Sequence, residues 1–320
     1  MAVLPFVLSA VVTVIVARAL IPRLMRAGIV GPDMHKSTLE RIPEMGGIAT
    51  AAGFAAGTSF VIGAASFFRL FPDVNTIHLL ASLAAVLMAG LIGMVDDLLG
   101  LHKGIKAFLP VLAAIPLMAV RAGHASIAIP LIGKLDLWVF YPLLVIPSGF
   151  TVAANGVNML AGFNGLEAGL GIVVMSSLAV IAGFRGEFTA LIILLAGAGA
   201  LLGVLRLNWF PASLFLGDVG TLSIGAIIAS AVIVGDMEVA GLILLIPYGV
   251  DFLIKALHGF PKTFGELRGG KLHCPSEGPK GLGQLIMKIT RGIHERSLVL
   301  LLIGLEAVLG LVAISLYVFR

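Results

Sequence analysis

The chain has 320 residues, of which 59% are hydrophobic and 12% charged, with a formal net charge of +4 and a mean hydropathy of +1.10. A soluble domain is about half apolar and about a quarter charged, so this composition excludes a water-dressed globule and places the bulk of the chain in lipid. The single cysteine, Cys274, excludes an internal disulfide and a multi-thiolate metal site, and the basic residues, gathered in a few loops, read as topology rather than as a nucleic-acid surface.

A helix needs roughly 20 mainly apolar residues to cross a bilayer. In chain order, ten stretches meet or nearly meet that length, centred on residues 3–24, 46–68, 77–97, 105–121, 138–159, 166–183, 188–206, 219–235, 239–258 and 298–319. The first lacks a basic start and a small-residue cleavage site, and more spans follow it, so it reads as a retained helix rather than a signal peptide. Residues 127–137 alternate weakly and are expected to form a small outer hairpin. Runs this long exclude sheet alternation. The expected class is all-α: one integral membrane domain over residues 1–320, a polytopic membrane protein with about ten transmembrane helices.

The loops at 25–45, 97–105, 159–165, 207–218 and 259–297, with the helix ends beside them, hold Arg23, Arg26, Lys36, Arg41, Lys103, Lys106, Arg206, Lys262, Arg268, Lys271, Lys280, Lys288, Arg291 and Arg296. The opposite side holds only Arg69, Arg121, Lys134, Arg185 and Arg320. The excess of Lys and Arg marks the first set as cytoplasmic, which leaves both termini on the non-cytoplasmic side of a cell membrane.

The informative polar residues sit at the cytoplasmic ends of the spans, where ionisable groups at membrane depth are costly. Asp96 and Asp97 close the third span, and adjacent carboxylates at a helix C-terminus require a compensating cation or pocket; Lys103 and Lys106 follow. Asn155 and Asn158, three apart, share a helix face, and Gly162 and Gly165 then break that helix around Asn164. Asp218 opens the eighth span after Phe215, where it serves equally as a helix cap or as part of a phosphate-facing helix N-terminus. Lys36 and Glu44 lie on the first inner loop, and His294 is read as a tether for the last one. Hard oxygen ligands suited to Mg²⁺, together with acidic groups and lysines on one side, are the equipment of phosphoryl transfer.

Five motifs extend this reading nearly end to end: IPEMGG, MVDDLLGLHKGIK, NGVNMLAGFNGLEAG, NWFPASLFLGDVGT and GIHERSLVLLL. Through them the chain resembles the polyprenyl-phosphate N-acetylhexosamine-1-phosphate transferase superfamily, and within it the dolichyl-phosphate N-acetylglucosamine-phosphotransferases of eukaryotes and archaea. Bacterial relatives typically carry D-G-x-D-G-L where this chain has Ala161 to Leu166.

The resemblance implies a catalytic membrane domain that moves N-acetylglucosamine-1-phosphate from a UDP-sugar donor to a polyprenyl-phosphate acceptor, with release of UMP. It implies Asn158 and Asp218 on a Mg²⁺ or Mn²⁺ ion, Asp96, Asp97 and Lys106 as catalytic groups, and Lys36, Glu44, Asn155, Gly162, Asn164 and Phe215 as substrate contacts. Asp97 is expected to orient the acceptor phosphate or take its last proton. A homodimer is compatible with the sequence. Two departures matter. The Arg-His-Arg run that reads the sugar in eukaryotic enzymes is absent from FPKTFGELRGGKL, and Gly100 stands where an asparagine often follows the acidic pair. The alternatives are an undecaprenyl-phosphate transferase with another UDP-N-acetylhexosamine donor, or a membrane transporter, which would place its polar groups near the bilayer centre.

Overall fold

The computed structural model describes residues 1, 3–36, 40–129 and 133–318. Helix dominates it. Among the described residues, eight helical segments are long and apolar enough to cross a membrane: α1 (Val3–Ala27), α2 (Gly47–Phe68), α3 (Thr76–Leu99), the π-type turn Tyr141–Val145 continuing into α7 (Ile146–Leu160), α8 (Leu166–Arg185), α9 (Phe188–Asn208), α10 (Gly217–Val234) and α14 (Glu295–Val318). A bent pair, α11 (Glu238–Leu244) and α12 (Ile246–Leu257), which turn 57° against one another, is apolar enough to count as a ninth if it forms one broken span.

The stretch expected as a span at 105–121 differs from the simple expectation. It is three short pieces, α4 (Lys103–Phe108), α5 (Pro110–Ala113) and α6 (Ile115–Ala119). Pro110 and Pro116 are the cause, because each lacks an N–H and its ring crowds the preceding turn. The weak alternation after it does form a hairpin, β3 (Ser126–Ile129) against β4 (Gly133–Asp136); its tip at 130–132, like Arg320, lies outside the described residues.

Contacts between loops sort the helix ends into two groups. At one end Asn75 N–H donates to Thr189 Oγ1 at 2.8 Å, His124 pairs with Asp236, the Tyr141 hydroxyl donates to Glu238, and Arg185 lies over the Tyr317 ring near the end of α14. The other end carries the basic loops and the polar cluster described below. Two short hairpins stand there that the sequence did not announce: β1 (Val30–Pro32) with β2 (Arg41–Pro43), and β5 (Glu266–Arg268) with β6 (Lys271–His273). Strands of three residues leave no readable period. Beside the second, α13 (Leu282–Ile289) buries Leu282, Ile286 and Met287.

The centre of the bundle is α10, with 83% of its spanning window buried. Its neighbours reach it through residues without side chains. A Cβ on Gly47 would run into the Gly220 backbone, one on Gly93 into the Asp218–Val219 backbone, and one on Gly225 into Ala153 and Ala154 of α7. Small residues at crossings let backbones approach where lipid supplies no hydrophobic drive between helices. Gly93→Ala is therefore expected to cost about 1–3 kcal/mol and to move α3 away from Asp218. Thermal unfolding in detergent checks this; an unchanged midpoint would contradict it.

Candidate active site

The first turn of α10 is closed from another helix. Asp97, in the last turn of α3, accepts the Asp218 N–H on Oδ1 at 2.9 Å and the Val219 N–H on Oδ2 at 3.2 Å. Asp97 thus performs the capping that the sequence allowed for Asp218, and the Asp218 side chain is free to face the site. There Asp218 Oδ2 and Asp96 Oδ2 both meet the Lys106 ammonium. Asn158, near the end of α7, donates from Nδ2 to Asp218 Oδ1 at 2.6 Å and to Thr221 Oγ1 at 2.8 Å. Asp96 Oδ1 accepts the Leu101 N–H at 2.8 Å. The adjacent carboxylates at the end of α3 are thereby compensated separately, one by a helix N-terminus and the other by a lysine.

Lys106 comes from α4, whose course is fixed by Asn155: its Nδ2 donates to the Ala107 carbonyl at 2.9 Å. Asn155 and Asn158, on one helix face, thus serve two neighbours. The chain between Pro43 and Gly47 is stitched to the approach to α10, with Phe215 N–H on Pro43 O, Gly46 N–H on Phe215 O and Gly47 N–H on Leu216 O, each at 2.8 Å. Glu44 sits in this seam. Burial first, then the Asp97 carboxylate, push its carboxyl above the ordinary range against the pull of Lys262. As pH falls, Glu44 accordingly takes up its proton before a solvent-exposed glutamate does.

Asp96, Asp218 and Asn158 present hard oxygen atoms, and two carboxylates gripping one ammonium form a place built around positive charge. Mg²⁺ takes one or two carboxylates and completes its shell with substrate phosphates and water. The donor set therefore fits such an ion, which Asp218 and Asp96 would hold, while Asn158 turns its amide nitrogen toward Asp218.

A second group surrounds the turn after α7, where Gly162 (φ +129°) and Gly165 (φ +84°) permit the reversal. Buried Asn164 donates from Nδ2 to Asp33 Oδ2 at 3.0 Å, and its N–H donates to Glu295 Oε1 at 2.8 Å. Gly162 N–H donates to Glu167 at 2.8 Å. Lys36 pairs with Asp33 and Glu40, each at 3.3 Å. His35 stacks on Phe163 with centroids 4.9 Å apart and lies 3.6 Å from Glu295. A cavity of about 160 Å³ opens here, lined in part by His35, His294, Glu295 and Arg296. His294 faces the Gly270 carbonyl at 3.0 Å, as the tether reading expects.

Asp33, His35 and Glu295 were missed from sequence, although Asp33 and His35 immediately precede Lys36, already singled out. A further omission is Asp251 with Lys255, a buried pair at 2.8 Å on α12. An acid four residues before a base inside an apolar run was the available signal.

The fold and site define a polytopic membrane bundle with a carboxylate, amide and lysine cluster at one end. The glycosyl transferase family 4 model matches residues 79–236, the stretch that holds this cluster. A Sulfolobus acidocaldarius protein provisionally named UDP-N-acetylglucosamine–dolichyl-phosphate N-acetylglucosaminephosphotransferase is 35% identical over 97% of this chain and 94% of its own. A Saccharolobus solfataricus protein with the same provisional name is 35% identical over 98% and 96%. The phospho-N-acetylmuramoyl-pentapeptide-transferase of Caldicellulosiruptor bescii is 30% identical over 70% of this chain and 71% of its own. The chain belongs to glycosyl transferase family 4.

Proposed function

We propose that this protein transfers N-acetylglucosamine-1-phosphate from UDP-N-acetylglucosamine to dolichyl phosphate, releasing UMP, with Mg²⁺ at a site on the cytoplasmic face of the cell membrane. The substrates follow the names of relatives that match nearly end to end. The observation that carries the chemistry is the meeting of Asp96, Lys106, Asn158 and Asp218, from four separate helices, at the bundle end bearing most of the basic residues.

An acceptor phosphate monoester has its second pKa near 6, so it is largely dianionic at neutral pH and its oxygen attacks the donor's β-phosphorus without needing a strong base. A new P–O bond forms as the bond to UMP breaks, and the leaving phosphate takes the electron pair. When bound, Mg²⁺ neutralises charge on the pyrophosphate. Lys106 adds fixed positive charge, Asp218 and Asp96 hold it there, and Asn158 fixes Asp218. Because both oxygens of Asp97 are taken up by α10 amides, we read Asp97 as a positioning residue for α10 rather than as the group that orients the acceptor phosphate or takes its last proton. In this reading Asn164, Gly162 and Lys36 of the second group, with Glu44 and Phe215 of the seam beside α10, are the donor contacts.

The direct test is UMP release from UDP-N-acetylglucosamine in detergent, with and without dolichyl phosphate, and with Mg²⁺ or EDTA. UMP appearing only with lipid and metal is the expected outcome. UMP release without lipid would indicate a covalent sugar-phosphate enzyme, and no release with any polyprenyl phosphate would overturn the proposal. Asp97 has its own test. Asp97→Asn keeps an acceptor oxygen for the α10 amides and is expected to lose less than about tenfold in rate. Asp97→Ala loses the cap, at a cost of about 1 kcal/mol or more, and is expected to lose much more rate. Equal losses in both variants would return Asp97 to proton transfer.

A further inference from the structure

Two charged residues of α12 that no step above uses are among the most deeply buried in the protein: Asp251 is 2% exposed and Lys255 6%. The bilayer boundary is an expensive place for charge, and each group here is fully engaged. Lys255 Nζ meets Asp251 Oδ2 at 2.8 Å and also donates to the Met159 carbonyl. Asp251 Oδ1 accepts the Leu282 N–H at 2.8 Å.

Both contacts fall on helix ends that lack a cap of their own. The last carbonyls of a helix have no partner within it. After α7 the chain leaves in extended conformation at Ala161, and the Gly162 amide is used on Glu167. The lysine takes the place of a backbone cap, and a cation is the favoured charge at that pole. The first residue before α13, Gly281, offers no capping side chain, and Asp251 supplies the carboxylate that suits an N-terminus. Met159 directly follows Asn158, whose amide holds both Asp218 and Thr221.

We propose that Lys255 and Asp251 are positioning residues. Through the Met159 carbonyl they fix the end of α7 and hold Asn158 on Asp218. Through the Leu282 amide they tie that register to the long loop between α12 and α14. The inference rests on the reading of Asn158 as a member of the site. Neither side chain touches substrate in this scheme.

The test uses the full-length protein in detergent. Lys255→Met alone leaves Asp251 buried without a counter-charge and threatens folding, so the informative variant is the pair Asp251→Asn with Lys255→Met, beside Lys255→Arg. Two readouts are taken on monodisperse protein: Mn²⁺ binding by electron paramagnetic resonance without substrate, and kcat and KM for UMP release. The double variant is expected to bind Mn²⁺ about 10–100-fold more weakly, the range for supports one shell from a ligand, with kcat falling more than KM rises. Lys255→Arg is expected to recover most of both.

A folded double variant whose Mn²⁺ midpoint matches wild type overturns the proposal, whatever happens to its melting temperature. If wild type binds Mn²⁺ but releases no UMP, the transferase reading fails while the positioning role is still decided by the Mn²⁺ midpoints.

Discussion

Replacing Asp218 with alanine is expected to lower UMP release by about 10³-fold, at the upper end of what one preorganised electrostatic group contributes, while the protein stays folded. The two halves of this expectation have separate causes. The Asp218 carboxylate is the point where Lys106 and Asn158 meet, so its removal leaves the ammonium on Asp96 alone and the Asn158 amide on Thr221 alone. The α10 cap uses only the backbone N–H of residue 218, which alanine retains. Steady-state rates together with a detergent melting curve check it. Wild-type turnover would exclude Asp218 from the site, and collapse of the fold would show that the side chain, not Asp97, organises the start of α10.

Lys106→Met is expected to cost about 10²-fold in rate and to shift the Mg²⁺ requirement in the opposite sense from most active-site losses. The ammonium now sits between Asp96 and Asp218. Without it two carboxylates face each other with no counter-charge, and like charges at close range are costly. A divalent ion relieves that repulsion. The variant should therefore reach its own maximal, lowered rate at a lower Mg²⁺ concentration than wild type. Titration of rate against Mg²⁺ at saturating donor measures this. A midpoint displaced upward would mean that Lys106 helps to recruit the ion rather than competing for its ligands.

Much of this arrangement could be read from the sequence because lipid makes polar residues conspicuous. Asp96, Asp97, Asn158 and Asp218 interrupt apolar runs at their ends, and alternating the spans put them on one side. The partners could not be read. That Asp97 caps a helix through an amide 121 residues later depends on how Gly93 lets α3 and α10 touch, and nothing local records it. The break in the fourth apolar stretch was visible, since Pro110 and Pro116 stand in its interior, yet hydropathy summed over a window does not register a missing N–H. Asp33, His35 and Glu295 were passed over for a different reason. In isolation each resembles an ordinary loop or helix-end residue, and their importance arises only when the turn at Asn164 gathers them from chain segments more than a hundred residues apart.

The central place of α10 also sets an order of assembly. Helices α2, α3, α7 and α9, which wall it in, all precede it in the chain, so during synthesis from the N-terminus they enter the bilayer around a gap that the tenth helix has yet to fill. Asp96 and Lys106 can neutralise one another while they wait, whereas Asn158 and the Asp97 carboxylate have no counterpart until residue 218 leaves the ribosome. A nascent chain halted before Gly217 is thus a bundle with its axis missing and its glycine-lined crossings open to lipid.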